Sequence, residues 1–424
     1  MACRVVAAAM LTLAAVVIGI LSPATFAKSP HGFRGALTRA NRCYGNHSSA
    51  VRHDARRLAS LSAAGSRTSN FQTLVENGAG AYLINLSIGT PPLAFPAILD
   101  TGSDLTWTQC APCTACFAQP APLYDPSNSS TFTKLPCASP PCRSLPGAFR
   151  ACDANDYHYT VGYTAGYLAA DTVALGGCRF PATANGGPMD GASGIVGLGR
   201  GALSLVSQLG VGRFSYCLRS DANAGASPIL FGSAANVTGA TVQSTPLVRN
   251  PVAPHAPYYY VNLTGVTVGD MDLPVTSDTF GFTATGAGGL IVDSGTTFTY
   301  LAEAGYAMMR QAFLSQTAGL TRVSGAPFNF DLCFAAGTND ADSRSVDALP
   351  FPRLVLLFAG DAEYVVPRKS YFDAVNEQGS AACLLLLPTK GVSVLGNVMQ
   401  MDLHVLYDLD AGVLSFAPMD CSSA

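Results

Sequence analysis

One short stretch of this chain occurs twice, and the repeat limits the fold more than any other feature. Ala97-Ile98-Leu99-Asp100-Thr101-Gly102-Ser103 is echoed by Leu290-Ile291-Val292-Asp293-Ser294-Gly295-Thr296. Each copy is followed, some hundred positions on, by two apolar residues and a glycine, Ile195-Val196-Gly197 and Val394-Leu395-Gly396. A weak repeat of this kind implies two similar lobes, each offering one aspartate on a tight loop at the end of a buried strand. A single Asp-Thr-Gly is more often an ordinary turn. Two copies, each after an apolar strand and each with its own partner segment, are a far more specific signal.

The residue types in the loop have physical roles. The apolar run buries the strand, so the aspartate emerges at the edge of a core where solvent is scarce. Glycine lets the turn bring backbone N–H groups to the carboxylate. The hydroxyl at the fourth position, Ser103 or Thr296, can donate to a carboxylate oxygen, and the one at the second, Thr101 or Ser294, is free to tie one loop to the other. Two such loops face to face would give carboxylates that cannot easily both ionise and so share a proton. Such a pair, Asp100 and Asp293, can activate water against a peptide carbonyl without metal or cofactor.

The rest of the chain fits a β-rich, exported protein. Of 424 residues only 12 % are charged, while 42 glycines and 27 prolines supply frequent turns. Tyr82 to Ile88 reads as a strand, Gly89-Thr90-Pro91-Pro92 as a turn, and Phe95 to Leu99 as a strand running into Asp100. Arg4, the apolar run Val5 to Leu21 and the Thr25-Phe26-Ala27 end predict a signal peptide over 1–27, too short in its apolar part for a membrane span. Thirteen cysteines point to disulfides, and five sequons, at Asn46, Asn85, Asn128, Asn236 and Asn262, are compatible with the secretory route. The spacing Cys110, Cys113, Cys116 would also suit zinc, but no paired histidine cluster accompanies it.

Charge is divided unevenly. Residues 28–72 carry eight basic side chains against the single acid Asp54, whereas from residue 73 onward 15 basic residues face 26 acidic ones. A basic leader joined to an acidic body predicts a pro-segment held partly by charge. A disordered linker or nucleic-acid-binding arm is the alternative, although the acidic body would repel phosphate, so no nucleic-acid partner is expected. The expected organisation is therefore a signal over 1–27, a pro-segment over 28–72, an N-terminal lobe over 73–249 and a C-terminal lobe over 250–424, with Asn250 to Pro257 as linker.

The chain resembles the pepsin-like aspartic proteases, and specifically their plant nepenthesin-like branch. The strings that carry the resemblance are the Asp100 loop with Trp107 seven residues on, Gln109-Cys110, Gly191 to Gly201, Phe214-Ser215-Tyr216-Cys217-Leu218, the Asp293 loop through Tyr300, and Val405-Leu406-Tyr407-Asp408. The Cys-rich stretch 110–152 resembles that branch's insertion. The resemblance implies an all-β, bilobal fold with a cleft between the lobes, a monomer made as a zymogen, and hydrolysis of protein or peptide substrates at acid pH.

Two departures stand out. The family's flap text is altered to Tyr157-His158-Tyr159-Thr160-Val161-Gly162-Tyr163, where Tyr159 is the best flap tyrosine, paired in relatives with the indole here supplied by Trp107; Tyr157 and Tyr163 remain alternatives. Between Thr172 and Gly191 the text is too short for the family's further strand. These departures keep a second reading open, a protease-like binding or inhibitor protein that retains the fold and cleaves nothing, as the plant xylanase inhibitors of this fold do.

Overall fold

The computed structural model describes residues 2–7, 32–39, 47–63, 80–113, 116–119, 121–136, 138–144, 150–152, 157–161, 164–166, 168–175, 189, 191–220, 225–239, 241–253, 256–337, 346–376 and 378–423. Strands dominate, and the longest helices are His47–Ala63 and Glu303–Gln316. The largest sheet has 14 strands and runs from the first lobe into the C-terminal strands, so both halves of the chain share it. No helix among the described residues is long and apolar enough to cross a membrane.

The repeat seen in the sequence is a repeat in space. In the first half the strand Leu93–Asp100 lies parallel to Gly194–Gly197, with Asp100 opposite Gly197, and Gly194–Gly197 in turn pairs antiparallel with Trp107–Gln109. In the second half Leu290–Val292 lies parallel to Ser393–Leu395, which meets Tyr300 antiparallel. Both aspartates therefore leave the end of a strand whose neighbour is the apolar-apolar-Gly segment. Leu99, Val196, Leu290, Ile291 and Val394 are all fully buried, which fixes the strand ends rigidly in the core.

The join between the halves is aromatic. Arg213–Cys217 pairs antiparallel with Leu403–Asp408, placing Phe214 opposite Tyr407. These two rings stack with centroids 4.6 Å apart, and Tyr259 meets Tyr407 edge-on at 4.5 Å. The Cys217–Cys421 disulfide fastens the same seam, and Cys333–Cys383 closes a second loop. Cys113 and Cys116, whose spacing would also suit zinc, are joined in a disulfide.

Two N-terminal pieces enter the large sheet. Phe33–Arg39 is an internal strand between Ser227–Phe231 and Tyr82–Ile88. Ala2–Ala7, within the segment expected to be a signal, pairs parallel with Leu168–Asp171 and antiparallel with Trp107–Gln109. That position adjoins the stretch flagged as one strand short, most of which lies outside the described residues.

Candidate active site

The two aspartate loops meet as near mirror copies. Asp100 Oδ1 accepts from Gly102 N–H at 2.9 Å and its Oδ2 from the Ser103 hydroxyl at 2.5 Å. Asp293 Oδ1 accepts from Gly295 N–H at 2.9 Å and its Oδ2 from the Thr296 hydroxyl at 2.5 Å. The second-position hydroxyls cross between lobes. Thr101 N–H donates to Ser294 Oγ at 3.1 Å and Ser294 N–H to Thr101 Oγ1 at 2.9 Å, while the Thr101 hydroxyl donates onward to Val292 O at 3.2 Å and the Ser294 hydroxyl to Leu99 O at 2.8 Å. Every polar group of the cross-link is buried and paired, so the loops hold each other in a single arrangement.

Glycine is required in both loops by the neighbour across the cleft. A Cβ on Gly102 would stand 2.7 Å from Asp293 Oδ1, and one on Gly295 2.5 Å from Asp100 Oδ1. The third position is thus where the opposite carboxylate fits.

A third partner holds both carboxylates. Arg57, on the helix His47–Ala63, donates from Nε to Asp293 Oδ2 at 2.8 Å and to Thr296 Oγ1 at 3.0 Å, and from Nη2 to Asp293 Oδ1 at 3.0 Å. The same guanidinium reaches Asp100, from Nη1 to Oδ2 at 3.1 Å and from Nη2 to Oδ1. A planar fork of five donors suits two carboxylates at once, which a lysine could not match. One turn earlier, the buried Asp54 accepts from the backbone N–H groups of Thr297 at 2.9 Å and Phe298 at 2.8 Å. Ala50, Leu58 and Leu61 bury the apolar side of the helix in the main core.

Residues 82–233 match the family described as xylanase inhibitor N-terminal, and 258–418 that described as xylanase inhibitor C-terminal. Aspartic proteinase nepenthesin-1 of Nepenthes gracilis is 39 % identical over 391 residues, covering 88 % of this chain and 86 % of the relative. The chain belongs to the pepsin-like aspartic protease family, in its nepenthesin-like branch. Nepenthesin-2 of the same plant is 38 % identical over 390 residues, with the same coverage of both chains. Among solved structures, that of edgp superposes with a TM-score of 0.64 at 18 % identity, covering 93 % of this chain and 96 % of that one. Basic 7S globulin from soybean gives 0.61 at 20 % identity, covering 80 % and 94 %. These two carry the bilobal fold and nothing finer.

Within this family site the two carboxyls are not equivalent. Burial raises the pKa of Asp100; the Arg57 charge offsets this in part, and the charge of Asp293 adds to the rise. Asp293 is equally buried, but the Arg57 charge and hydrogen bond, with those from Thr296 and Gly295, hold it below the usual carboxylate range. Asp104, four residues after Asp100, is pushed up to about 6 by burial, against the pull of the Gly201 N–H that it accepts.

The other expected residues are placed less completely. Trp107 is buried in a small cluster with Leu83, Ile98, Met189 and Ile195. Tyr159 lies in a separate three-stranded sheet, opposite Arg150 on one side and Gly166 on the other. Tyr163 lies outside the described residues, and only the backbone of Tyr157 and Tyr159 is described.

Several residues of the site escaped the sequence reading. Arg57 was one basic residue among eight, and Asp54 the lone acid of the leader. That lone acid three residues before an arginine, on one helical face, was the available signal. Tyr216 and Tyr407 stood only as family strings. Their hydroxyls lie 2.8 Å apart, and Tyr216 also donates to Gln400, forming a polar layer beside the loops.

Proposed function

We propose that this chain is the precursor of a secreted acid endopeptidase, with Asp100 and Asp293 as the catalytic carboxylates and residues 28–72 as the segment that blocks them. The observation that carries the reading is the single guanidinium of Arg57 across both carboxylates, where substrate and water would have to sit. A leader that places such a clamp on the paired aspartates is consistent with a site that needs restraint.

With Arg57 gone, two close carboxylates lose their counter-charge and share one proton. The ionised partner takes a proton from the bound water as its oxygen attacks the peptide carbonyl. The protonated partner hydrogen-bonds the carbonyl oxygen, and the proton then passes to the leaving nitrogen. Ser103, Thr296 and the N–H groups of Gly102 and Gly295 keep each carboxylate oriented, and Thr101 and Ser294 keep the two loops in register. The substrate is an extended protein or peptide lying between the lobes. A flap carrying Tyr159 would close over it towards Trp107.

Acid releases the leader by the same chemistry. Arg57 holds Asp293 below its ordinary range, so this contact is strongest while Asp293 is ionised and weakens as pH falls through the lowered value. The second reading, a binding protein without activity, is favoured by the family descriptions, which name xylanase inhibitors. Incubating the precursor in acid with a denatured protein, with and without a statine-type peptide inhibitor, separates the two. Inhibitor-sensitive cleavage is expected; its absence after the leader has been removed would favour the binding protein.

A further inference from the structure

The leader helix presents more than a clamp. His47 is its first residue, and His47, Asp54 and Arg57 are spaced so that all three meet the body. Asp54 and Arg57 are fully engaged there. His47 is not: its side chain is 4 % exposed, its ring stacks on Phe298 at 5.8 Å and meets Phe330 edge-on at 6.2 Å, and its buried Nδ1 has no hydrogen-bond partner.

That pocket accepts a neutral imidazole and opposes a charged one. A protonated ring would carry a buried Nδ1–H without an acceptor, at the positive end of a helix. The surrounding groups give no relief. Arg39, on the leader strand, opposes a second positive charge. Asp54, two turns along the same helix, is occupied by the N–H groups of Thr297 and Phe298, with His53 Nδ1 at 3.7 Å. Asp331, beside Phe330, is taken up by Tyr306 and Arg310. Tyr300, near Asp54, is held neutral by burial.

We propose that His47 is an acid trigger of the leader: protonation of its imidazole expels the ring from the Phe298–Phe330 pocket and lifts the N-terminal end of the helix, loosening the Arg57 clamp. The proposal rests on the reading of residues 28–72 as a blocking segment. Burial, with the Arg39 charge, lowers the pKa of His47 from 6.5 to about 4. The undocked leader therefore binds more protons than the docked one between those values, and docking weakens as pH falls through that window. The full effect, reached below the lower value, is on the order of a hundredfold in the docking equilibrium. His47 thus acts at milder acidity than the Asp293 contact, whose pKa is held below the carboxylate range.

Hydrogen exchange of residues 47–63 in the intact precursor, corrected for the intrinsic pH dependence of exchange, reads leader opening directly. Wild type should open progressively from near neutral pH downward. His47→Phe, which fills the same aromatic pocket without titrating, should shift the midpoint to lower pH by at least about one unit. His47→Gln, which cannot titrate but lacks the ring, should lose the same pH dependence from a weaker starting point. A wild-type midpoint in His47→Phe overturns the proposal. Exchange needs no catalysis, so a shifted midpoint in a protein that never cleaves substrate would defeat the protease reading and leave the trigger standing.

Discussion

The two aspartate loops are built alike yet sit in different electrostatic surroundings. Each carboxylate takes one glycine N–H and one hydroxyl, at the same distances in both lobes. Their departures from ordinary acidity nevertheless run in opposite directions, Asp100 upward and Asp293 downward. Arg57 lowers both, and the charge of Asp293 adds to the rise of Asp100. Arg57 adds its Nε contacts on the Asp293 side, including Thr296, and Asp54 binds only the second lobe, at Thr297 and Phe298. The loop geometry is thus symmetric, while the contacts that the helix His47–Ala63 makes with it are not.

The largest expected effect tests whether the loops act together. Asp100→Asn and Asp293→Asn should each lower the cleavage rate of mature enzyme by at least about a hundredfold, because neither carboxyl alone can both activate water and hydrogen-bond the carbonyl. Melting temperatures should show that both variants fold. Wild-type-like turnover by either variant would break the pairing.

Next in size is the effect of the expected flap around Tyr159. If Tyr159 covers the substrate, Tyr159→Ala should cut kcat by roughly tenfold or more, while Tyr157→Ala and Tyr163→Ala act weakly. Because Trp107 is the only tryptophan, binding of a peptide-like inhibitor should change the intrinsic fluorescence of wild type and change it less in Tyr159→Ala. Full activity in Tyr159→Ala would remove that residue from the site.

How much of this was legible in the sequence follows from how local each signal is. The loops were readable because strand, aspartate, glycine and hydroxyls are contiguous, and their repetition gave the two-lobe, all-β fold. The strand Tyr82–Ile88 and the turn after it were readable from alternation and from Gly89-Thr90-Pro91-Pro92. The Arg57 clamp was not, because it joins residues more than two hundred positions apart, and only the three-residue spacing from Asp54 tells Arg57 from Arg52 or Arg56. The leader's strand, Phe33–Arg39, was also missed. Its apolar residues are sparse, and only pairing with strands from elsewhere in the chain buries Leu37.

Removing the clamp should erase the asymmetry before activation. Arg57→Gln leaves two buried carboxyls without a counter-charge, a change that costs about 3–5 kcal/mol where no relaxation is available and less here, since the leader can undock. The precursor variant should bind a statine-type inhibitor at neutral pH, where wild type should not, and should be processed at higher pH. Arg57→Lys should fall between the two, since one ammonium cannot span both carboxylates. Unchanged inhibitor exclusion in Arg57→Gln would mean that the rest of the helix blocks the cleft unaided.

The smallest effect asks whether the loops become equivalent once the leader is gone. The Ser103 hydroxyl lowers the pKa of Asp100, and that of Thr296 lowers the pKa of Asp293. Deleting either donor removes stabilisation of the ionised form, so protonation becomes easier and the apparent pKa of the pair rises. In mature Ser103→Ala and Thr296→Ala the acidic limb of the pH–rate profile should therefore move to higher pH, by less than about one unit for the loss of one hydrogen bond. The two macroscopic values belong to the pair, so the informative quantity is the difference between the two variants. Equal shifts would mean that the lobes supply equivalent carboxylates and that the unequal acidities of the precursor are due to Arg57. A shift confined to Thr296→Ala would assign the ionised role to Asp293 in the mature enzyme as well, and would place the asymmetry in the lobes themselves.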